Sequence, residues 1–322
     1  MKKIGGFFEL ELAKGKSIYH DDAILLTTGR ACLNYILQSK QPTKVYIPFY
    51  CCNALIDPMV LNSIEYAFYT IDEHLEIKDL PELKPSEAII YCDFFGIKTE
   101  YTNNLIKHYK NQLIVDNTHS FFSKGYETTN ASFTSARKYF GVPDGAFLYI
   151  SDEEKIDVEI NRNLNVSIEH NMHSLLGEQQ KAYGEYVAYE KTLGSAIEQI
   201  SVVSERLLSM VDYKEVRQTR NENYNFYAKE LKELNQLNID AKEQDCFCYP
   251  LLLKEPLNRQ ELYKEQIFIP SLWLDTTGRE GHEAYELECK LSTELLPLPI
   301  DHRYSTDDLK RVCDFIKKKA KR

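Results

Sequence analysis

The feature that most constrains this chain is a series of short, almost wholly apolar runs separated by stretches of helical period. "KVYIPF" (44–49), "IEYAFYTI" (64–71), "AIIYCDFF" (88–95) and "QLIVD" (112–116) read as strands. "RACLNYIL" (30–37), "ALIDPMVLNS" (54–63) and "YTNNLIKHYK" (101–110) put apolar side chains at helical spacing. Strands that are apolar on both faces and alternate with helices predict an α/β fold, a mostly parallel central sheet covered by helices. Ligands of such sheets bind beyond the carboxyl ends of the strands. Asp116 stands at one of those ends.

The rest of the chain reads differently. Residues 174–235 are rich in Glu, Lys, Leu and Ala and predict helices, including "SAIEQISVVSERLLSMV" (195–211). "CFCYPLLL" (246–253) and "QIFIP" (266–270) then read as strands, and "TDDLKRVCDFIKKKAK" (306–321) as a helix capped by Ser305 or Thr306. The expected division is a large α/β domain with an N-terminal arm over residues 1–215 and a small α+β domain over 216–322, 322 residues being enough for both.

Composition narrows the partners. A net charge of -10 argues against nucleic acid, and the basic tail "KKKAKR" reads as the solvated end of a helix. The amino terminus "MKKIGGFFELEL" lacks the apolar core of a signal peptide, and no membrane span is read. Eight cysteines without a regular framework suit a reducing compartment, so a cytoplasmic protein is expected. Cys51-Cys52 and Cys246-Phe247-Cys248 read as buried apolar residues. His170 and His173 in "EHNMH" read as surface helix or loop residues, with no metal site expected.

The chemistry-bearing stretch runs from Asp116 to Lys138, which stands just before a Pro-Asp-Gly turn. A lysine amine forms Schiff bases with carbonyl substrates or pyridoxal phosphate. Pyridoxal phosphate also needs an acid for its pyridine nitrogen, backbone N–H groups at a helix start for its phosphate, and a flat side chain over its ring. Asp116 is the candidate acid. His119 is placed to touch the ring or its phenolic oxygen, and Thr28, Gly29 and Arg30 open a helix as a phosphate cradle. Tyr50 is the stacking candidate, with Cys51 and Cys52 as alternatives. Ser132 and Ser135 are alternative phosphate donors, and Arg137 is placed to lower the amine's pKa. Taken singly, each of these residues has a plain structural reading as a turn, cap or surface group.

Their order along the chain is more specific. "TGRACL", "YIPFYCCNALIDPMVLNS", "YCDFFGI", "VDNTHS", "SARKYFGVPDGA" and "LLPLPIDHRYSTDDLKRV" together resemble the DegT/StrS sugar aminotransferases, a branch of the fold type I pyridoxal-phosphate enzymes. The resemblance spans nearly the whole chain. It implies that Asp116 binds the pyridine nitrogen, that His119 is the ring contact three residues on, and that Lys138 is the catalytic Schiff-base lysine. It also implies a homodimer and transfer of an amino group from a donor such as glutamate to a nucleotide-linked keto sugar, in surface-polysaccharide or related biosynthesis. Departures mark a divergent branch: "SFTSARK" replaces an "FSF" pattern before the lysine, "VPDGA" a "GEGG" pattern after it, and Asp93 in "DFFG" a histidine. Arg303 and Tyr304 are substrate-side candidates, and Arg220 and Asn223 match an "RxxNY" stretch at the domain hinge. The rival readings are a dehydratase on the same scaffold, a non-catalytic protein that keeps the fold, and a plain nucleotide binder, the last disfavoured because no GxGxxG follows the first strand.

Overall fold

A computed structural model describes residues 4–126, 130–239 and 245–320. Seven strands, β1 (Ile24–Leu26), β2 (Lys44–Pro48), β3 (Glu65–Tyr69), β4 (Glu87–Cys92), β5 (Leu113–Asp116), β6 (Ala131–Ser135) and β7 (Ala146–Tyr149), form one sheet in the order β1-β7-β6-β5-β4-β2-β3. From β3 to β6 the neighbours are parallel, and β7 and β1 close the other edge antiparallel. Every residue of β4, β5 and β6 is buried, which is why β4 and β5 carry no polar alternation. The fold expected from the sequence is present.

The carboxyl ends of β2, β4, β5 and β6 open on one edge of the sheet. The helix Gly29–Lys40 lies against β6 and β7. It starts because the Thr28 hydroxyl accepts the Ala31 N–H at 3.0 Å, and it stops at Gln41 in the left-handed region.

Several sequence-derived elements differ in extent. β4 ends at Cys92, because Asp93 turns the chain into a 3-10 turn, Phe94–Gly96, with Phe95 at φ 59°. Residues 54–63 split into a 3-10 turn, Asn53–Leu55, and a short helix, Asp57–Leu61, with Pro58 in its first turn. The helix expected over 195–211 begins only at Val202. The preceding backbone is held by the sheet edge, with Thr27 N–H donating to Glu198 O at 3.1 Å and Ile200 N–H to Leu25 O at 3.4 Å. Ser201 caps the helix, and the buried carboxylate of Asp144 accepts from Ser201 Oγ (2.6 Å), Ser204 Oγ (2.5 Å) and Asn163 Nδ2 (3.1 Å). The Pro-Asp-Gly turn after Lys138 is therefore anchored through its acid.

In the C-terminal part, β8 (Cys248–Leu251) pairs antiparallel with β9 (Leu296–Pro299), so its partner is the "LPLP" run rather than "QIFIP". The latter ends the helix Arg259–Lys264. Gln266, at φ 56°, donates to Tyr263 O and Ile267 donates to Leu262 O, a Schellman closure that hands the buried Ile267 and Ile269 to the core. The last helix, Thr306–Ala320, is capped reciprocally by Ser305 and Asp308; the end of the basic tail, residues 321–322, lies outside the described residues. Arg220 and Asn223, both buried on the helix Tyr213–Leu231, tie this part together. Arg220 donates to the carbonyls of Cys246 and Phe247, and Asn223 to those of Ile300 and Asp301.

Candidate functional site

Four loops that follow parallel strands meet at the sheet edge: 50–53 after β2, 93–97 after β4, 117–120 after β5 and 136–139 after β6. Asp116 is the last residue of β5 and is 8% exposed. Its register partner on β6 is Phe133, so both side chains leave the sheet on the face of the Gly29–Lys40 helix, where Phe133 lies against Gly29. One carboxylate oxygen of Asp116 accepts the Thr118 N–H at 2.9 Å, and the Cys92 thiol lies 3.7 Å from the other. Burial pushes this carboxyl above the ordinary range, opposed by the Thr118 hydrogen bonds and by the charge of Lys138.

His119 is 3% exposed, and its Nδ1 accepts the Phe95 N–H at 3.3 Å. Burial, reinforced by the Lys138 charge, lowers its pKa well below that of a free imidazole, so the ring is neutral and carries its proton on Nε2. That Nε2 is buried with no hydrogen-bond partner. A close approach sets the ring's position: a Cβ on Gly96, at φ 74°, would lie 2.5 Å from His119 O.

Lys138 closes a single 3-10 turn after β6, with its side chain exposed. Its Nζ lies 5.7 Å from the centre of the Phe247 ring, which in turn stacks on the His119 imidazole. Arg137 beside it is ion-paired with Glu190. Its charge is thereby taken up on the Gln179–Glu190 helix.

The other candidates are distributed unevenly. The Thr28 hydroxyl is engaged with Ala31 N–H and Gly194 O, and Arg30 pairs with Asp57 at 2.8 Å, which leaves the backbone at Gly29 as the polar part of that helix start nearest Phe133. Ser132 is level with Val115 and so points to the opposite face from Asp116. Ser135, two residues beyond Phe133, shares the Asp116 face, and its hydroxyl makes a 3.4 Å contact to Gly145 O. Tyr50 is fully buried, stacked on Phe94 (5.7 Å, 21°) and edge-on to Trp273 (4.6 Å, 87°). Cys52, by contrast, is partly exposed and within reach of the Lys138 charge.

Arg303 and Lys138 line one cleft of about 480 Å³, together with Tyr139, His170, Asp301 and His302. Arg303 is paired with Asp301 at 2.6 Å and lies over the Tyr304 ring. His170 is not a surface residue: it is 9% exposed and stacked on Tyr189, whereas His173 pairs with Glu185. Among the described residues no three metal-ligating side chains cluster, and no helix is long and apolar enough to cross a membrane.

Two site residues escaped the sequence reading. Phe247 stacks on the His119 ring at 4.4 Å and 12°, and Trp273 stacks on it at 5.1 Å and 12°. Both come from the C-terminal third. The only signals were that Phe247 alternates with two buried cysteines and that Trp273 is the single tryptophan of the chain.

The fold is that of solved sugar aminotransferases. The sugar aminotransferase CalS13 from Micromonospora echinospora superimposes with a TM-score of 0.65 at 14% identity, over 94% of this chain and 88% of that one. A DegT DnrJ EryC1 StrS aminotransferase from Brucella abortus gives 0.63 at 15%, over 93% and 86%. The putative sugar aminotransferase Spr1654 from Streptococcus pneumoniae, in its PLP form, gives 0.63 at 13%, over 93% and 87%. No family model and no curated protein matches the sequence.

Proposed function

We propose that this chain is a pyridoxal-phosphate-dependent aminotransferase that moves an amino group from an amino acid such as glutamate to a nucleotide-linked keto sugar. The observation that carries this reading is that Asp116 ends β5 and Lys138 follows its parallel neighbour β6, with His119 on the loop beyond Asp116 at the same edge of the sheet.

The polar groups suit the cofactor. A buried carboxyl at the end of β5 matches a protonated pyridine nitrogen, and the unpartnered Nε2–H of His119 matches an acceptor such as a phenolic oxygen. When bound, the cofactor supplies an electron sink for carbanion chemistry. Asp116 would hold the pyridine nitrogen through a charge-assisted hydrogen bond, strengthened by its dry surroundings. His119 orients the ring without adding charge. Lys138 Nζ, on an exposed side chain, would be the nucleophile and would afterwards carry the proton to and from the substrate carbon. The backbone at Gly29 and the Ser135 hydroxyl are the phosphate contacts this face offers.

A homodimer fits the exposed Phe7 and Phe8 of the N-terminal segment and Leu175, Leu176 and Tyr183 on the 169–190 helices, which a second copy would cover. A reducing, cytoplasmic setting fits the eight free cysteines. The test is product analysis with glutamate and a panel of nucleotide keto sugars. The reading requires 2-oxoglutarate in equal amount to amino sugar; dehydrated sugar without 2-oxoglutarate would replace it by the dehydratase reading.

A further inference from the structure

We propose that Asp93 is a positioning residue: by locking the turn after β4 it makes the Phe95 backbone N–H dictate which nitrogen of the His119 ring carries the proton, so that Nε2–H is the donor offered to the cofactor. The identity of the acceptor rests on the cofactor reading above; the tautomer itself does not.

His119 is left with one choice. Its carbonyl accepts from Tyr139 Oη at 2.7 Å, which fixes the backbone. Its ring plane is set by Phe247 and Trp273, each 12° from parallel, at 4.4 Å and 5.1 Å. What remains open is the place of the proton. The Phe95 N–H reaches Nδ1 at 3.3 Å, and a backbone N–H can donate only to a ring nitrogen that carries no hydrogen. The proton is thereby sent to Nε2, the buried nitrogen with no hydrogen-bond partner.

That N–H is aimed by a turn the chain would not adopt on its own. Phe95 sits at φ 59° and ψ 5°, a left-handed conformation that a bulky side chain keeps only where its surroundings over-determine it. Asp93, 1% exposed, stands at the start of this turn. One of its carboxylate oxygens accepts the Lys98 N–H at 2.8 Å, across the whole turn, while its carbonyl accepts the Gly96 N–H at 3.1 Å. The other carboxylate oxygen accepts from Ser120 Oγ at 2.6 Å, and Ser120 is the residue after His119. One side chain therefore closes the turn that carries Phe95 and ties it to the loop that carries His119. On the far side, the Phe247 N–H donates to Phe95 O at 2.8 Å and keeps the same peptide from rotating away.

The tautomer is read by nitrogen NMR on the full-length protein carrying isotope-labelled histidine, without cofactor. H119Q identifies the His119 signals by their loss, and circular dichroism is the folding check. Wild type is expected to favour Nε2–H over Nδ1–H by about tenfold, the ratio equivalent to one net hydrogen bond. In D93A the two forms should come within about twofold of each other, whereas D93N, whose amide oxygen can still accept the Lys98 N–H, should keep most of the preference. Pyridoxal phosphate titrations followed by visible absorbance should show weaker binding by D93A, about tenfold, with D93N close to wild type. A wild-type proton on Nδ1, an unchanged ratio in D93A, or full cofactor affinity in D93A once the preference is lost overturns the inference. Absence of cofactor binding by every protein, with the tautomer effect present, overturns the cofactor reading and leaves the role of Asp93 standing. Should D93A fail to fold, S120A, which removes the 2.6 Å tie alone, is judged by the same criteria.

Discussion

The carboxyl group of Asp116 accepts the Thr118 backbone N–H at 2.9 Å at the end of a fully buried strand, with no ion pair to it among the described residues. Burial raises its pKa, so the charged form is less favoured in the folded protein than in the unfolded chain. Replacing Asp116 by Asn keeps the hydrogen bond and removes the cost of charging the group. The D116N protein is expected to unfold at a higher temperature than wild type, by about 1 kcal/mol of stability, while losing most cofactor affinity. Calorimetry and a pyridoxal phosphate titration check the two halves; a lower melting temperature would contradict the burial argument.

His20 gives a pH dependence with a defined sign. It is fully buried, with one ring nitrogen 2.6 Å from Phe121 O and the other 2.6 Å from Tyr149 Oη. Desolvation lowers its pKa to about 4, against an unfolded value of 6.5. Below 6.5 the unfolded chain takes up the proton and the folded one does not, so stability falls as pH drops from 6.5 towards 4 and is complete above that window. The contribution of His20 alone amounts to about 2 kcal/mol between pH 7.5 and pH 5. Urea unfolding of wild type and H20N at both values should show a shallower pH slope in the variant; equal slopes would exclude His20 as the group responsible.

Gly96 is where the backbones of two site loops touch. With φ at 74° and a hypothetical Cβ 2.5 Å from His119 O, G96A is expected to lose roughly 2–4 kcal/mol and to shift the histidine. The shift is read from Trp273 emission, since that ring stacks on His119. Unchanged emission with reduced stability would separate the fold effect from the site effect.

The sheet and the ends of its strands could be read from the sequence because burial on both faces leaves uninterrupted apolar runs, as in "AIIYC" and "LIV". Elements were misplaced where tertiary hydrogen bonds overrode local pattern. The 195–200 segment has helical composition, but the sheet edge and Asp144 hold it extended up to Ser201. "QIFIP" has strand composition but ends a helix, and β8 found its partner in a proline-containing run.

Asp116, His119 and Lys138 can be read from the sequence as a candidate set because each stands at or just beyond the end of a strand. Ser132 and Ser135 could not be separated without the register that assigns them to opposite faces. Tyr50 reads from the sequence as a stacking candidate, and its packing on Phe94 and Trp273 depends on tertiary contacts that local pattern does not carry. Phe247 and Trp273 were out of reach, since their approach to His119 depends on how the C-terminal third folds back over the sheet.

The most direct test of the central claim is chemical labelling of one amine. Purified protein is incubated with pyridoxal phosphate, reduced with borohydride, digested and mapped by mass spectrometry. The account predicts a single dominant pyridoxyl label on Lys138, lost in K138A and strongly reduced in D116N. A protein left unlabelled, or labelled at scattered surface lysines with Lys138 unmodified, would contradict it.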